Sequence, residues 1–337
     1  MEAAPTTVSG GRSVLERSPL SRLPDQFLQW GLTLLATAIL VLIAYFFIRL
    51  IGQSTTAISH FGWGFVFGND WNPSRLIFRG FPLVFGTLVT SAISLLIGVP
   101  VAIAAALFLI ELCPRRIRTP LSILVDLLAA VPSVVYGLWG VFVLAPKLMP
   151  VEKWFASTFS FIPWIGGGTV TLYNYFIAGL ILAIMILPIV SAISREVIST
   201  VPSDLKEGAL ALGATRWEMI RMAVLPYSRA GITGGAMLGL GRAIGETIAV
   251  VLVIGNADKI GGHLFNQGYS LAAVIANEFG EAANTTLYKS ALFEAGLVLF
   301  VLTLIVNMIA RYFVFRGTKG KPTAGAAAGA VVAEQKA

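Results

Sequence analysis

The stretch "LVFGTLVTSAISLLIGVPVAIAAALFLI", from Leu83 to Ile110, carries no charged side chain. A helix rises about 1.5 Å per residue, so about 20 apolar residues cross the roughly 30 Å hydrocarbon core of a bilayer. The stretch therefore predicts a membrane-spanning helix. The rest of the chain agrees, because 56% of its 337 residues are hydrophobic and only 12% are charged. This composition excludes an ordinary soluble domain and predicts a polytopic membrane protein.

Five further apolar runs are long enough to cross a bilayer, and together the runs predict an all-α fold with six transmembrane helices. The further runs are Phe27–Ile51, Leu121–Ala145, Tyr175–Ser194, Gly231–Gly255 and Ala291–Phe313. The predicted parts are an N-terminal arm at residues 1–26, a membrane domain at residues 27–316 and a disordered, alanine- and glycine-rich tail at residues 317–337.

The charged residues indicate how the chain is oriented. There are 24 Lys and Arg residues against 17 Asp and Glu residues, and the basic ones lie between the apolar runs rather than in one patch. This distribution predicts no nucleic acid partner, and it satisfies the positive-inside rule when both termini are cytoplasmic. Cys113 is the single cysteine, and His60 and His263 have no ligand spacing around them. Neither a disulfide nor a metal site is therefore predicted.

The loop between the fourth and fifth predicted spans, residues 202–226, has the pattern of two short helices. In the first, Leu205, Ala209 and Leu212 follow one another at positions i, i+4 and i+7, and Gly213 supplies a stop signal. We therefore expect an amphipathic helix that bends sharply at the glycine and is presented to the cytosol.

The second helix of the loop begins with a capping box. Thr215 and Glu218 are three residues apart, so each side chain can accept a hydrogen bond from the other's backbone amide. We expect Pro226 to end this helix, and Trp217 to be available for docking. The alternative is a helix that lies on the lipid surface, but the acidic residues interspersed among the basic ones disfavour it.

The stretch "EGALALGATRWEMIRMAVLP" (residues 207–226) resembles the EAA loop of ATP-binding-cassette (ABC) importer permeases. The spacing of the motif is matched by Glu207, Ala209, Gly213, Leu225 and Pro226, whereas Gly208 and Ala223 replace the usual alanine and isoleucine. The resemblance implies a type I importer permease fold, in which this loop seats in a groove of a separate ATPase. The implied contact residues are Leu205, Glu207, Ala209, Leu212, Gly213, Trp217 and Pro226.

Three other stretches, "AAVPSVVYGLWGVFVL" (129–144), "NDWNP" (69–73) and "GRAIGETIAVVLVIGN" (241–256), resemble phosphate importer permeases of the PstC type. This resemblance implies a transport subunit of the bacterial cytoplasmic membrane that is not itself an enzyme. The implied partners are a second, PstA-like permease, a PstB-like ATPase dimer and an extracytoplasmic PstS-like phosphate-binding protein. ATP and Mg²⁺ are expected on the ATPase, and this chain has no phosphate-loop motif and no predicted cofactor.

Arg242 and Glu246 are ionisable residues inside the fifth apolar run, where each charge is costly unless it is functional or paired. Arg242 is expected about 18 Å into the span, and its planar donor fork suits a tetrahedral oxyanion. We interpret it as part of the phosphate path and Glu246 as the group that neutralises it between transport events or pairs across the subunit interface. The alternative is a salt bridge that only sets helix packing.

The third predicted span contributes Asp126, Ser133 and Tyr136 as further candidates for the substrate path. Asp126 is expected near the inner interface, where it either bonds at a gate or faces the lipid headgroups. Glycines in the fifth span repeat at four-residue spacing, which allows close helix approach and predicts packing against the second permease. These glycines are Gly231, Gly235, Gly239, Gly241 and Gly245.

Two other functions compete with a phosphate importer. One is a permease for another tetrahedral oxyanion, namely sulfate, molybdate or tungstate. The other is an ion-coupled secondary anion carrier, which would predict inverted repeats with interrupted helices. No such repeat is evident in the sequence, and the spans contain no nucleophile and base pair typical of a membrane enzyme.

Overall fold

The computed structural model describes residues 23–318 with the exception of Gly167. The predicted N-terminal arm and the predicted tail lie almost wholly outside these described residues. The helices are α1 (Leu23–Phe61), α2 (Gly64–Phe67), α3 (Phe81–Leu107), α4 (Arg115–Ala130), α5 (Ser133–Trp139), α6 (Ala145–Thr158), α7 (Tyr175–Ser199), α8 (Ser203–Ala211), α9 (Arg216–Met219), α10 (Leu225–Gly245), α11 (Ile248–Val253), α12 (Leu271–Glu278) and α13 (Thr286–Thr318).

A two-stranded antiparallel hairpin interrupts the helical fold before α3. Its strands are β1 (Trp71–Asn72) and β2 (Ile77–Phe78), and Trp71 pairs with Phe78. The described chain divides at Gly52 into two compact units, the first of which is the N-terminal part of α1. The second unit contains the remainder of the described chain.

Within the described residues, five helical segments are long and apolar enough to cross a membrane, in agreement with four of the six predicted spans. These segments are Phe27–Phe61, Phe81–Leu112, Ser133–Thr158, Tyr175–Ser199 and Thr286–Tyr312. The segments at the third and fifth predicted positions differ from expectation because each contains a break. The structure thus keeps the predicted order of apolar segments along the chain.

The predicted third span, Leu121–Ala145, is wrong as a single helix. It contains the end of α4, an extended backbone at Val131 and Pro132, and all of α5. The cause is Pro132, which has no amide hydrogen to donate and disfavours helical geometry in the residue before it. The helix that restarts at Ser133 runs on to Thr158.

The predicted fifth span, Gly231–Gly255, is also divided. The helix α10 ends at Gly245, Glu246 is extended with ψ of 129°, and α11 begins at Ile248. One carboxylate oxygen of Glu246 accepts a 3.4 Å hydrogen bond from the Ala249 amide, which satisfies a free donor at the start of α11. Non-helical backbone inside a membrane is tolerated where it is buried in protein or lines an aqueous path.

The helix α7 forms the centre of the core, with α3 and α10 packed along it. Small residues allow the close approach to α3: a methyl group added to Gly98 would lie 2.9 Å from the carbonyl oxygen of Ala183. The buried cluster around α7 includes Tyr175, Ile181 and Ile186. Because these three helices pack directly on one another, they form a continuous core.

Three glycines of α10 face α7 of the same chain, so the expected packing of these glycines against the second permease is wrong. Methyl groups added to Gly231, Gly235 and Gly239 would meet side chains of Val197, Ile193 and Val190, respectively. Periodicity showed that this face packs closely, but it could not show which helix is the neighbour. By contrast, no other atom lies within 4 Å of such methyl groups on Gly241 and Gly245, so their packing against a partner remains a prediction.

Adjacent glycines of α10 therefore offer a matched test of this packing. A leucine at Gly235 would overlap Ile193, which lies 3.1 Å from an added methyl, whereas Gly234 has open space around it. We expect Gly235→Leu to destabilise the purified chain by about 1–3 kcal/mol and Gly234→Leu to leave it unchanged or more stable. Thermal unfolding in detergent measures the difference, and equal melting temperatures would contradict the packing.

Three prolines are each preceded by a π-helical turn that ends two residues earlier. The turns are Phe108–Leu112, Gly140–Leu144 and Ile220–Val224, and they precede Pro114, Pro146 and Pro226. In each case the amide of the residue before the proline donates to the carbonyl five residues back, as Leu225 does to Ile220. The wider turn lets the residue before the proline form its hydrogen bond, although the proline has no amide hydrogen to donate.

Pro226 therefore does not end the second helix of the loop, contrary to the prediction. Residues 216–245 are continuously helical, because the π turn joins α9 to α10. Pro226 directly follows the π turn, and the helix continues through it although the proline has no amide hydrogen to donate. The loop is consequently attached rigidly to the helix that carries Arg242.

Candidate functional site

The bend after α8 has the geometry predicted from Gly213. Gly213 has a φ of 85°, its amide donates to Leu210, and the amide of Ala214 donates to Ala209. These two bonds form the Schellman arrangement, in which glycine is favoured because it tolerates left-handed backbone. The expected sharp turn between two short helices is confirmed.

The capping box at the start of α9 is also confirmed. The Glu218 carboxylate accepts hydrogen bonds from the backbone amide and the hydroxyl of Thr215, each 2.8 Å long. The Thr215 hydroxyl accepts in turn from the Glu218 amide at 3.3 Å. These bonds from the backbone and side chain of Thr215 hold the pKa of Glu218 below its usual range.

The loop exposes large apolar side chains. Leu212 is 92% exposed and Trp217 is 64% exposed, and Leu205 and the charged Glu207 also face outward. Ala209 behaves differently, because it packs against the buried cluster around Met219 and Val224. Among the predicted contact residues, Ala209 therefore positions the loop, whereas the exposed ones are free to meet another surface.

The two helix breaks meet through α5 and α11. A methyl group on Gly137 would lie 2.6 Å from a side-chain carbon of Leu252 and 3.1 Å from the Cα of Ala249, so the two helices touch. The Tyr136 hydroxyl donates a 2.7 Å hydrogen bond to the Leu128 carbonyl and thereby bridges the α4–α5 break. Ser133, the first residue of α5, is half-buried beside this break.

Arg242 is exposed near the end of α10, and its charge interacts with the side chain of Tyr136. The structure thus brings together two candidates for the substrate path that are far apart in sequence. Within residues 23–318, no ion pair joins Arg242 to Glu246. The alternative of a packing salt bridge between them is therefore wrong for this structure, and the Arg242 guanidinium remains available to another anion.

Asp126 forms an ion pair that does not involve Arg242. Its carboxylate pairs with Arg195 of α7, whose side chain is only 13% exposed, so the contact joins α4 to α7. The Asp126 side chain is half exposed, and the Tyr136 hydroxyl bonds to the same helix at Leu128, two residues further on. The predicted role of Asp126 at a gate remains a prediction.

Sequence reasoning missed a polar cluster beside the β-hairpin. The Glu278 carboxylate accepts hydrogen bonds from the indole of Trp71 at 2.9 Å and from the Tyr288 hydroxyl at 2.7 Å. Burial raises the pKa of Glu278, although these hydrogen bonds oppose the shift. The cluster fixes the hairpin to α12 and α13. The sequence offered one indication of this cluster, the tryptophan Trp71 in the stretch "NDWNP".

Comparisons with known proteins agree with this architecture. The family model described as "Binding-protein-dependent transport system inner membrane component" matches residues 98–319. The phosphate transport system permease protein PstC of Mesorhizobium japonicum is 47% identical over 285 residues, covering 83% of this chain and 87% of the relative. The protein of the same name from Pasteurella multocida is 42% identical over 286 residues, covering 83% and 88%.

A solved structure supports the fold independently. A chain from a bacterial ABC transporter involved in the import of the acidic polysaccharide alginate aligns with a TM-score of 0.55 and 20% identity. The alignment covers 89% of this chain and 99% of the other. The chain therefore belongs to the family of binding-protein-dependent transport system inner membrane components, and it is a multi-pass membrane protein with the fold of an ABC importer permease.

Proposed function

We propose that this chain is one of two permease subunits of an ATP-driven phosphate importer. The observation that carries the proposal is the position of Arg242, a permanent cation exposed at the meeting point of two broken helices. A guanidinium offers five donors in a planar fork, so it can hold a tetrahedral oxyanion where water is scarce. The relatives named as phosphate permeases support phosphate as the substrate.

Glu246 supports phosphate over sulfate, molybdate or tungstate. Phosphate still carries a proton at neutral pH and can donate a hydrogen bond to a carboxylate, whereas fully ionised sulfate cannot. The Glu246 side chain is half-buried one turn beyond Arg242 and forms no ion pair within the described part of the chain. It would therefore accept a proton-bearing oxyanion and repel one without a donor.

The partners follow from the surfaces. We infer that Leu205, Leu212 and Trp217 dock into a PstB-like ATPase dimer, because they are large apolar side chains on a rigid loop. The open face of α10 around Gly241 and Gly245 would meet a PstA-like second permease. A PstS-like binding protein would deliver phosphate, and ATP with Mg²⁺ would bind the ATPase. Both termini and the α8–α9 loop would lie in the cytoplasm of a bacterial cell.

The test is phosphate uptake by the complete complex in lipid vesicles. We expect uptake of radiolabelled phosphate only when ATP, the ATPase and the binding protein are all present. Excess sulfate should not compete, because it lacks the proton donor. Uptake without ATP would support an ion-coupled carrier instead, and equal competition by sulfate, molybdate or tungstate would reject phosphate selectivity.

A further inference from the structure

An ion pair connects α8 to the π turn that follows α3. The Lys206 ammonium donates to the Glu111 carboxylate at 2.7 Å, and the two side chains are 21% and 9% exposed. The residues are far apart in sequence, so the contact is a tertiary one. Since it is largely shielded from water, it is stronger and less screened by salt than a surface pair.

The two ends of this pair belong to different structural elements. Lys206 lies on the exposed loop helix, three residues before Ala209, whose side chain packs on the neighbouring apolar cluster. Glu111 lies in the π turn that closes the membrane segment Phe81–Leu112. The chain itself joins the loop to α7 and to α10. The ion pair joins the loop to a third membrane segment, Phe81–Leu112.

The same π turn also holds the start of α4. The Arg118 guanidinium donates a 2.6 Å hydrogen bond to the Ile110 carbonyl. The helix α4 then runs to the break at Val131 and Pro132, beyond which Tyr136 interacts with Arg242. A continuous set of contacts thus leads from α8, through Glu111 and α4, to the broken helices.

We propose that the Lys206–Glu111 pair is the positioning contact that transmits movement of α8 to the inner ends of α3 and α4. This role rests on the proposed function, in which α8 follows the ATPase. The adjacent apolar contact of Ala209 is non-directional and permits sliding. A shielded ion pair fixes the register, because separating it leaves uncompensated charge.

The test uses charge reversal in the complete complex. Lys206→Glu or Glu111→Lys should lower the ratio of phosphate taken up to ATP hydrolysed by about tenfold, within the usual range of coupling between sites. The exchange Lys206→Glu/Glu111→Lys should restore the ratio to within about twofold of wild type. Arg116→Glu is the matched control, because Arg116 is exposed on α4 and forms no ion pair within the described residues.

A second measurement does not depend on transport. Hydrogen exchange of the amides at residues 203–212 should be faster in each single variant and return to the wild-type rate in the exchanged pair. The positioning role would be overturned if the single variants kept the wild-type ratio of phosphate to ATP and the wild-type rate of hydrogen exchange. It would also be overturned if the charge-swapped double variant restored neither the ratio nor the rate. Absence of ATP-driven phosphate uptake in wild type would reject the proposed function alone, and the exchange measurement would still decide whether the pair holds α8.

Discussion

Replacing Arg242 with glutamine should lower ATP-driven phosphate uptake by about 10- to 100-fold per assembled complex, since a charged hydrogen bond contributes about 1.5–3 kcal/mol. Arg242→Lys should fall between this variant and wild type, because an ammonium keeps the charge but loses the planar fork. Initial rates of radiolabelled phosphate uptake into vesicles, divided by the amount of complex, measure the effect.

Arg229→Gln is the matched control for Arg242. Arg229 is exposed on the same helix, α10, and loses the same charge, but it lies at the opposite end from the helix break. We expect wild-type uptake from this variant. Wild-type uptake by Arg242→Gln would contradict the proposed phosphate path.

The double variant Arg242→Gln/Glu246→Gln separates the two interpretations of these residues. Because no ion pair joins Arg242 and Glu246 in the structure, removing both should leave uptake as low as removing Arg242 alone. Restoration of uptake in the double variant would instead favour a packing salt bridge in another state of the transport cycle.

Gly213→Val should produce the second large effect, an uptake loss of about tenfold with the chain still folded and inserted. A residue with a Cβ in the left-handed region costs about 1–2 kcal/mol, and a β-branched one costs more. Straightening the bend at Gly213, where φ is 85°, would misplace Trp217 relative to Leu212. Uptake and retention of the ATPase subunit on purification are the measurements.

Gly208→Ala is the control for this bend, since Gly208 lies within α8 and an added methyl group meets no other atom within 4 Å. It should transport normally, whereas Gly213→Ala should show part of the loss. Glu207→Lys reverses an exposed charge on the same helix and should weaken ATPase retention. Full uptake by both Gly213→Val and Glu207→Lys would show that this loop does not couple the subunits.

The local features of the loop were predictable because they depend on neighbours in sequence. The left-handed Gly213 and the Thr215–Glu218 capping box follow from backbone geometry over a few residues, and both are present. The apolar segments were predictable for a similar reason, since length and hydropathy alone decide whether a helix can cross a bilayer.

Features that depend on tertiary contacts were not predictable from the pattern. The glycine spacing in α10 predicted close packing, but Gly235 packs on Ile193 of the same chain. Hydropathy over a long window does not detect the break at Glu246, because the surroundings of this residue stay apolar. The break at Pro132 is local, and the proline itself was its signal in the sequence. The pairing of Lys206 with Glu111 could not be predicted, because only the folded chain brings these two distant residues together.

The π turn before Pro226 changes how the loop and the transport path are related on a helical wheel. A π turn holds one residue more than an α-helical turn and so shifts the residues beyond it by about 100°. A wheel drawn without interruption from Trp217 to Arg242 consequently assigns every residue after Val224 to the wrong side. Deleting one residue within Ile220–Val224 would convert the π turn to an α-helical turn and leave Arg242 on the same side of the helix, whereas inserting one residue in α10 ahead of Arg242 would rotate its side chain by about 100° around the helix axis.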